Sequence, residues 1–421
     1  MRNVSNVYVG DITVENPANH SVNILDSRNI STENVKVFSY DGNNGDGLGF
    51  GCSQNVICWN NFTDTGDDNL GFGASVGEGA RDSDIQTNSE IWMFNNFLRE
   101  GHGGLAAGSH TGNGIQDVLF EDTVMNHIDM AFRFKSAPTN GGFIANITMR
   151  DCAVADTNQA WVLTTSYSDP NSASTTEFAE IGKFYNFASY NVSVYGVQYN
   201  TVQVLADVDP VSNPQKPWHT HSHLYFQDIT FGNVGTNGGF KNKNGWESLI
   251  GCENSVFYNF KTVSYAKKAV DKKTDKTWNN MQYCKDIVFQ GTTWDSVNNC
   301  TDKMQNMMSG ITVKDSTVKA EVVPAVIEPD SGSTGEETTV KAEWDAAAIA
   351  AATTTANGLT AHADANDANG GWKTATVAEA DTTGEGAVWQ VGTEYVVSGK
   401  TKAMDSDGKT QSKGTIPVSG C

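Results

Sequence analysis

SNVYVGDITVEN, residues 5–16, holds two short apolar–polar alternations, Val7-Tyr8-Val9 and Ile12-Thr13-Val14, parted by Gly10-Asp11. Alternation with a period of two marks a strand with one buried face. The phrase returns down the chain: a polar residue or Asn, three or four alternating positions, then Asn, Asp or Gly. It recurs as RNISTENVKVFS (28–39), SQNVICWNNF (53–62), SEIWMFNNF (89–97), IQDVLFEDTVMN (115–126), IANITMRDC (144–152), FYNFASYNVSV (184–194), HLYFQDITFGNV (223–234), CENSVFYNF (252–260) and CKDIVFQGTTW (284–294). Successive copies lie roughly 23 to 40 residues apart, a spacing that signals stacked repeats. One such unit is too short to bury its own apolar face. Stacking the units makes a continuous core and pairs their strands in parallel. Asn at matched turn positions tolerates a left-handed backbone and can hydrogen-bond along the stack. The pattern predicts an all-β chain wound as a parallel β-helix. A β-sandwich is the alternative, but its hairpin turns come every 8–12 residues or so, and these units are longer.

The pattern fades near residue 320. AEVVPAVIEPDSGSTGEETT, residues 320–339, reads as a linker by its Pro, Gly, Ser, Thr and acid content. The expected domains are a β-helix over 1–319, the linker over 320–339 and a small module over 340–421. Within the module GTEYVVSGKTKAMDSDGKT alternates and then turns at Ser406-Asp407-Gly408. It resembles the last strands of a fibronectin III or Ig-like β-sandwich, although AEWDAAAIAAATTT (342–355) has the composition of a short helix. The start, MRNVSNVYVG, lacks the apolar core of a signal peptide and runs straight into a strand. The reading is an N-terminally truncated β-helix whose export signal is not present in this chain.

The formal charge of −21, from 28 basic and 49 acidic residues, argues against a nucleic-acid partner. No apolar run reaches the length of a membrane span. The seven cysteines are odd in number and form no CxxC pair, which speaks against a zinc site; no cofactor or metal is expected. Cys252 and Cys284 precede strand-like runs at similar offsets, so they are either a disulfide between layers or two stacked thiols. Nine lysines fall within 241–285, including AKKAVDKKTDK, as a solvated loop or a patch that guides a polyanion.

DTGDDNLGFG, residues 64–73, places Asp67 and Asp68 side by side. About one coil upstream stands Asp46 in NNGDGLGF; downstream come His102 in REGHGGLAAGSHTG and then Arg133 and Lys135 in MAFRFKS. Singly these read as a polar turn, a surface histidine and a solvated strand face. In a parallel stack with layers about 4.8 Å apart, matched registers would gather three carboxylates, an imidazole and two cations in one patch over four or five layers.

The ordered set Asn44-Gly45-Asp46, Asp67-Asp68, Gly101-His102-Gly103 and Arg133-Phe134-Lys135 resembles glycoside hydrolase family 28, the polygalacturonases, and within it the bacterial exo-poly-α-galacturonosidases. The resemblance covers roughly residues 5–300. It implies a right-handed parallel β-helix that hydrolyses α-1,4-galacturonosidic bonds of polygalacturonate with inversion and by exo action; a secreted or periplasmic monomer acting on pectin oligosaccharides is expected. It also implies roles. Asp67 is the general acid; Asp46 and Asp68 hold and activate water; His102 tunes the proton. Arg133, Lys135, Tyr167 and His110 bind substrate. Crowding by Asp68 and Asp46 is expected to keep Asp67 protonated. Two positions depart from the family pattern: Gly45 replaces a usual Thr, and Asn69 stands where Cys is common. The segment between Asp68 and His102 is long, as in exo-acting relatives. Three rivals use the same kind of fold: a calcium-dependent pectate lyase, a rhamnogalacturonan hydrolase, and a non-catalytic carbohydrate-binding solenoid.

Overall fold

The computed structural model describes residues 1–40, 42, 44–75, 86–167, 181–206, 219–236, 247–263, 266, 280–292 and 309–314, with the backbone of four short strands between 394 and 417. Among the described residues every regular element is a strand. Up to Lys314 the strands form one parallel sheet wound into a right-handed β-helix. Each coil contributes to three stacks. The first runs through Ser5–Gly10, Arg28–Glu33, Gln54–Trp59, Asn88–Phe94 and Ile115–Glu121. The second begins with Thr13–Glu15, Lys36–Ser39 and Phe62–Thr65. The third begins with Val22–Leu25, Leu48–Gly51 and Leu70–Gly73, and continues in the C-terminal halves of Phe97–Ala107 and Val124–Lys135 and then in Gln159–Thr164.

The bends follow the polar residues of the repeat. Asn6, Asn29, Asn55, Glu90, Asp117, Asn146, Asn186, His223, Asn254 and Asp286 all have positive φ, and so do the residues five further on from Asp11 to Asn259. Asn and Asp tolerate this region better than other side chains. Their amides also bond between layers: Asn29 Nδ2 donates to Asn6 Oδ1 at 2.8 Å, Asn55 to Asn29 at 3.0 Å and Asn186 to Asn146 at 3.1 Å.

In the third stack Leu48, Leu70, Leu105, Phe132, Trp161 and Val202 lie in register along the axis and point inward, all fully buried. Phe50, Phe72, Ala107, Phe134 and Leu163 form the next inward column. Period two then sends the residues between them outward: Gly49, Gly71, Ala106 and Arg133 in one file, Gly51, Gly73, Gly108 and Lys135 in the next. The outer wall is bare over three layers and ends in two cations.

Cys252 and Cys284 stack in adjacent layers with no disulfide between them. The linker, residues 342–355 and seven of the nine lysines of 241–285 lie outside the described residues, while Lys261 and Lys285 sit on strands. Near the C-terminus Glu394–Val397 pairs antiparallel with Gly414–Pro417, and Ala403–Met404 with Thr410–Gln411.

Candidate active site

Parallel register decides which residues share the outer wall. Leu48 pairs with Leu70 and Leu70 with Leu105, so two positions earlier Asp46, Asp68 and Gly103 follow one another up the stack. One position earlier still lie Gly45, Asp67 and His102. Backbone bonds lock these layers: Gly47 N donates to Asp68 O at 2.9 Å, His102 N to Asp67 O at 2.9 Å, and Asn69 N to Gly103 O at 2.7 Å. The first three motifs therefore occupy one layer position, as their order suggests. Arg133 and Lys135 do not. Met130 holds that position in their coil, and the two cations stand three and five residues further along the strand.

The pair is nevertheless brought in, by Asp68. Its Oδ1 accepts from Arg133 Nη1 at 2.8 Å and its Oδ2 from Lys135 Nζ at 2.9 Å. All three side chains are more than nine-tenths buried. Gly103 makes the reach possible, because a Cβ there would lie 2.4 Å from Asp68 Oδ1. Burial pushes the Asp68 carboxyl up, and the Lys135 ammonium and Arg133 guanidinium more than offset this, leaving it at about 2. Tyr167 closes the end of the site, its ring 5.3 Å from Lys135 Nζ and 5.7 Å from the Arg133 guanidinium carbon.

Asp67, beside it in sequence, has the opposite fate. Its Oδ1 is 3.9 Å from Arg133 Nη1 and 3.6 Å from His102 Nδ1, both beyond hydrogen-bond range. Burial is the main force on it, with Asp68 and Asp46 adding repulsion, and its carboxyl is raised to about 6. Crowding, the cause expected from sequence, is thus second to desolvation. His102 is lowered by burial and by the Arg133 charge, which favours a neutral ring. His110 is exposed beside the bare file: a Cβ on Gly73 would come 3.8 Å from that of His110.

Both departures from the motif pattern have local causes. A Cβ at Gly45 would meet Ser39 O at 2.6 Å, and the Ser39 hydroxyl donates to Gly45 O at 2.5 Å. Asn69 is buried and braces the His102 turn: its Nδ2 donates to Glu100 O at 3.0 Å and to Gly103 O at 3.2 Å, while Thr63 Oγ1 donates to its Oδ1 at 2.6 Å. Gly101, at φ 146°, lies against this amide, and a Cβ there would be 2.1 Å from Nδ2.

One neighbour was not foreseen. His20 Nδ1 lies 3.1 Å from Asp46 Oδ2. The available signal was spacing: His20 precedes Asp46 by about one repeat. Among the described residues no group of three or more His, Cys, Asp or Glu side chains is arranged to hold a metal ion, and no helix is long and apolar enough to cross a membrane. The arrangement sets a carboxyl raised to about 6 beside one held at about 2, along a wall of small residues with two cations at its far end.

The family model for glycosyl hydrolases family 28 matches residues 1–194. An exo-poly-alpha-D-galacturonosidase of Dickeya chrysanthemi is 42% identical over 196 residues, which are 46% of this chain and 32% of that protein. The solved family 28 exopolygalacturonase of Yersinia enterocolitica superposes with a TM-score of 0.53 at 29% identity, covering 76% of this chain and 47% of its own. The chain thus spans about a third of the one relative and about half of the other. All four motifs fall inside residues 1–194, the segment that the family 28 model matches.

Proposed function

We propose that this chain hydrolyses the α-1,4-galacturonosidic bonds of polygalacturonate, with inversion and from a chain end, as a monomer acting outside the cytoplasm. The observation that carries the reading is the split between adjacent carboxyls, Asp67 raised to about 6 and Asp68 held at about 2. Two titratable groups pushed apart by their surroundings can serve as acid and base at one pH. Asp67 gives its proton to the glycosidic oxygen as the bond to the anomeric carbon breaks. A water held between Asp46 and Asp68 attacks the opposite face and passes its proton to that pair. Inverting enzymes keep roughly 6.5–9.5 Å between acid and base for this water, and carboxylates on successive layers suit that spacing. His102, neutral and close to Asp67, tunes the acid. Arg133 and Lys135 retain donors beyond those given to Asp68; these bind the sugar carboxylate, with Tyr167 and His110 lining the site. The cations also answer the repulsion between a chain of charge −21 and a polyanion, since charge acts locally over about 10 Å at moderate salt. Exo action rests on the relatives that match, both of them exo-acting by name.

A digest of polygalacturonate in chelator tests the reading, with product size and ultraviolet absorbance followed together. Saturated mono- or digalacturonate from the first time point supports it. A ladder of saturated oligomers removes the exo claim alone. Absorbing products that appear only once calcium is restored make the chain a lyase. No product in either condition overturns the enzymatic reading in favour of a binding solenoid. Turnover should fall as the pH rises through about 6, where Asp67 loses its proton.

A further inference from the structure

We infer that His20 is a positioning residue of this site, holding the Asp46 carboxylate in place for the attacking water by a hydrogen bond from its ring; the inference rests on the hydrolase reading above. Val22 pairs with Leu48, so His20 stands in the same outer file as Asp46 and Asp68, one layer before them. Ser21 N donates to Asp46 O at 2.8 Å and Val22 N to Gly47 O at 3.0 Å, which fixes the two layers against each other. The Asn19 side chain accepts from His20 N at 2.7 Å and shapes the turn that presents the ring. His20 Nδ1 then meets Asp46 Oδ2 at 3.1 Å.

The charge order along the file gives this contact its meaning. Arg133 and Lys135 bind Asp68 from the far end of the site. At the near end His20 is the cationic group that the described residues place against Asp46. Three carboxylates are thereby bracketed by positive groups on both sides. The titratable groups facing the ring are Asp46, Asp67 and Asp68. The hydrogen bond to Asp46 raises the His20 pKa, burial opposes it, and the three acids add to the rise. The imidazolium thus persists across the mildly acid range in which Asp67 holds its proton. It also occupies one oxygen of Asp46, leaving the other lone pairs of that carboxylate for water.

The test is kcat and KM on polygalacturonate across the mildly acid and neutral range for the full chain and for His20→Ala and His20→Gln, beside an NMR titration of the His20 ring in wild type and in Asp46→Asn. A charge-assisted hydrogen bond of this kind suggests a fall of about tenfold in kcat for His20→Ala, with KM changed less than about twofold. The alkaline limb of kcat should move up by about half a pH unit, because a positive charge that favours ionised Asp67 is gone. His20→Gln keeps a donor and should recover part of the rate while keeping the shifted limb. In Asp46→Asn the His20 pKa should fall. A His20→Ala profile that matches wild type overturns the inference. So does a uniform loss of kcat at every pH accompanied by a lower Tm, which is what a merely structural residue would give. If His20→Ala does not fold, an unchanged His20 titration in Asp46→Asn overturns it instead. A wild-type chain that hydrolyses nothing overturns the reading beneath the inference and the inference with it, and the titration then separates that failure from the absence of the ion pair.

Discussion

Two kinds of aspartate line this helix, and their neighbours set them apart. On the bends four ladder carboxylates meet an amide from the next layer: Asn34 donates to Asp11 at 2.6 Å, Asn146 to Asp117 at 2.9 Å, Asn191 to Asp151 and Asn259 to Asp228 both at 2.5 Å. On the outer wall of the third stack Asp46 and Asp68 follow one another with no amide between them, and Asp67 sits beside the second. There the charge is met from the ends, by His20 and by Arg133 with Lys135. An amide-capped carboxylate is a turn with its hydrogen bonds satisfied. A run of carboxylates met by cations only at its two ends leaves Asp67 beyond hydrogen-bond range of Arg133 and His102, with lone pairs to offer a ligand.

One place in the ladder looks like the site. Glu121 pairs with Arg150, so Asp122 faces Asp151. Burial first, then Glu121 and Asp151, raises the Asp122 carboxyl to about 7. This like-charged pair is relieved mainly by a proton, which lets Asp122 stand in for the Asn found elsewhere in the file. Asp67 is relieved in the same way, but at the mouth of a bare wall where the proton has somewhere to go.

The sharpest way to break the comparison is Asp67→Asn. It should cut turnover by about a thousandfold or more, in the range lost with a general acid, while the thermal transition stays close to wild type. A variant keeping a tenth of the wild-type rate would make Asp67 no more than a ladder residue. Asp68→Asn should behave differently. It leaves Arg133 and Lys135 buried without their counter-charge, so chemical denaturation should show a loss of about 3–5 kcal/mol along with the lost activity. Equal stability in the Asp67 and Asp68 variants would mean that the two cations find other partners. The smallest effect belongs to the ladder. Asp122 has a folded pKa above its unfolded value, so the native state binds the extra proton and stability falls as the pH rises from about 4 to about 7. Asp122→Asn should therefore be neutral in acid and should stabilise by about 1–2 kcal/mol at mildly alkaline pH, with kcat unaffected. A loss of stability at that pH would show the carboxylate to be wanted.

The fold was legible because a β-helix writes itself locally. Val7, Val9, Ile12 and Val14 alternate within one coil, and Asn6, Asn29 and Asn55 repeat the same bend in three successive coils. The sequence of residues 340–421 had no comparable repetition. The site was legible as a set of motifs, because Asp46, Asp67-Asp68 and His102 share a layer position and the chain order follows the stack. Where Arg133 and Lys135 would act was not, because a motif gives residue spacing and not register. Their offset from the file, their burial and their shared hold on Asp68 depend on how two strands two layers apart are aligned. His20 escaped for the same reason. It sits in ANHS, with neither the glycines nor the paired charges that marked the other motifs.

Alternation, the asparagine bends and the order of four short motifs were determined by the sequence alone, since each depends on contacts within a residue or two, or on a repeat that copies them. Tertiary structure decided which charge neutralises which. Asp67 and Asp68 are chemically identical neighbours. One is raised and the other lowered because only one of them reaches across Gly103 to Arg133 and Lys135, and electrostatic energy inside a protein depends on separation and burial in space.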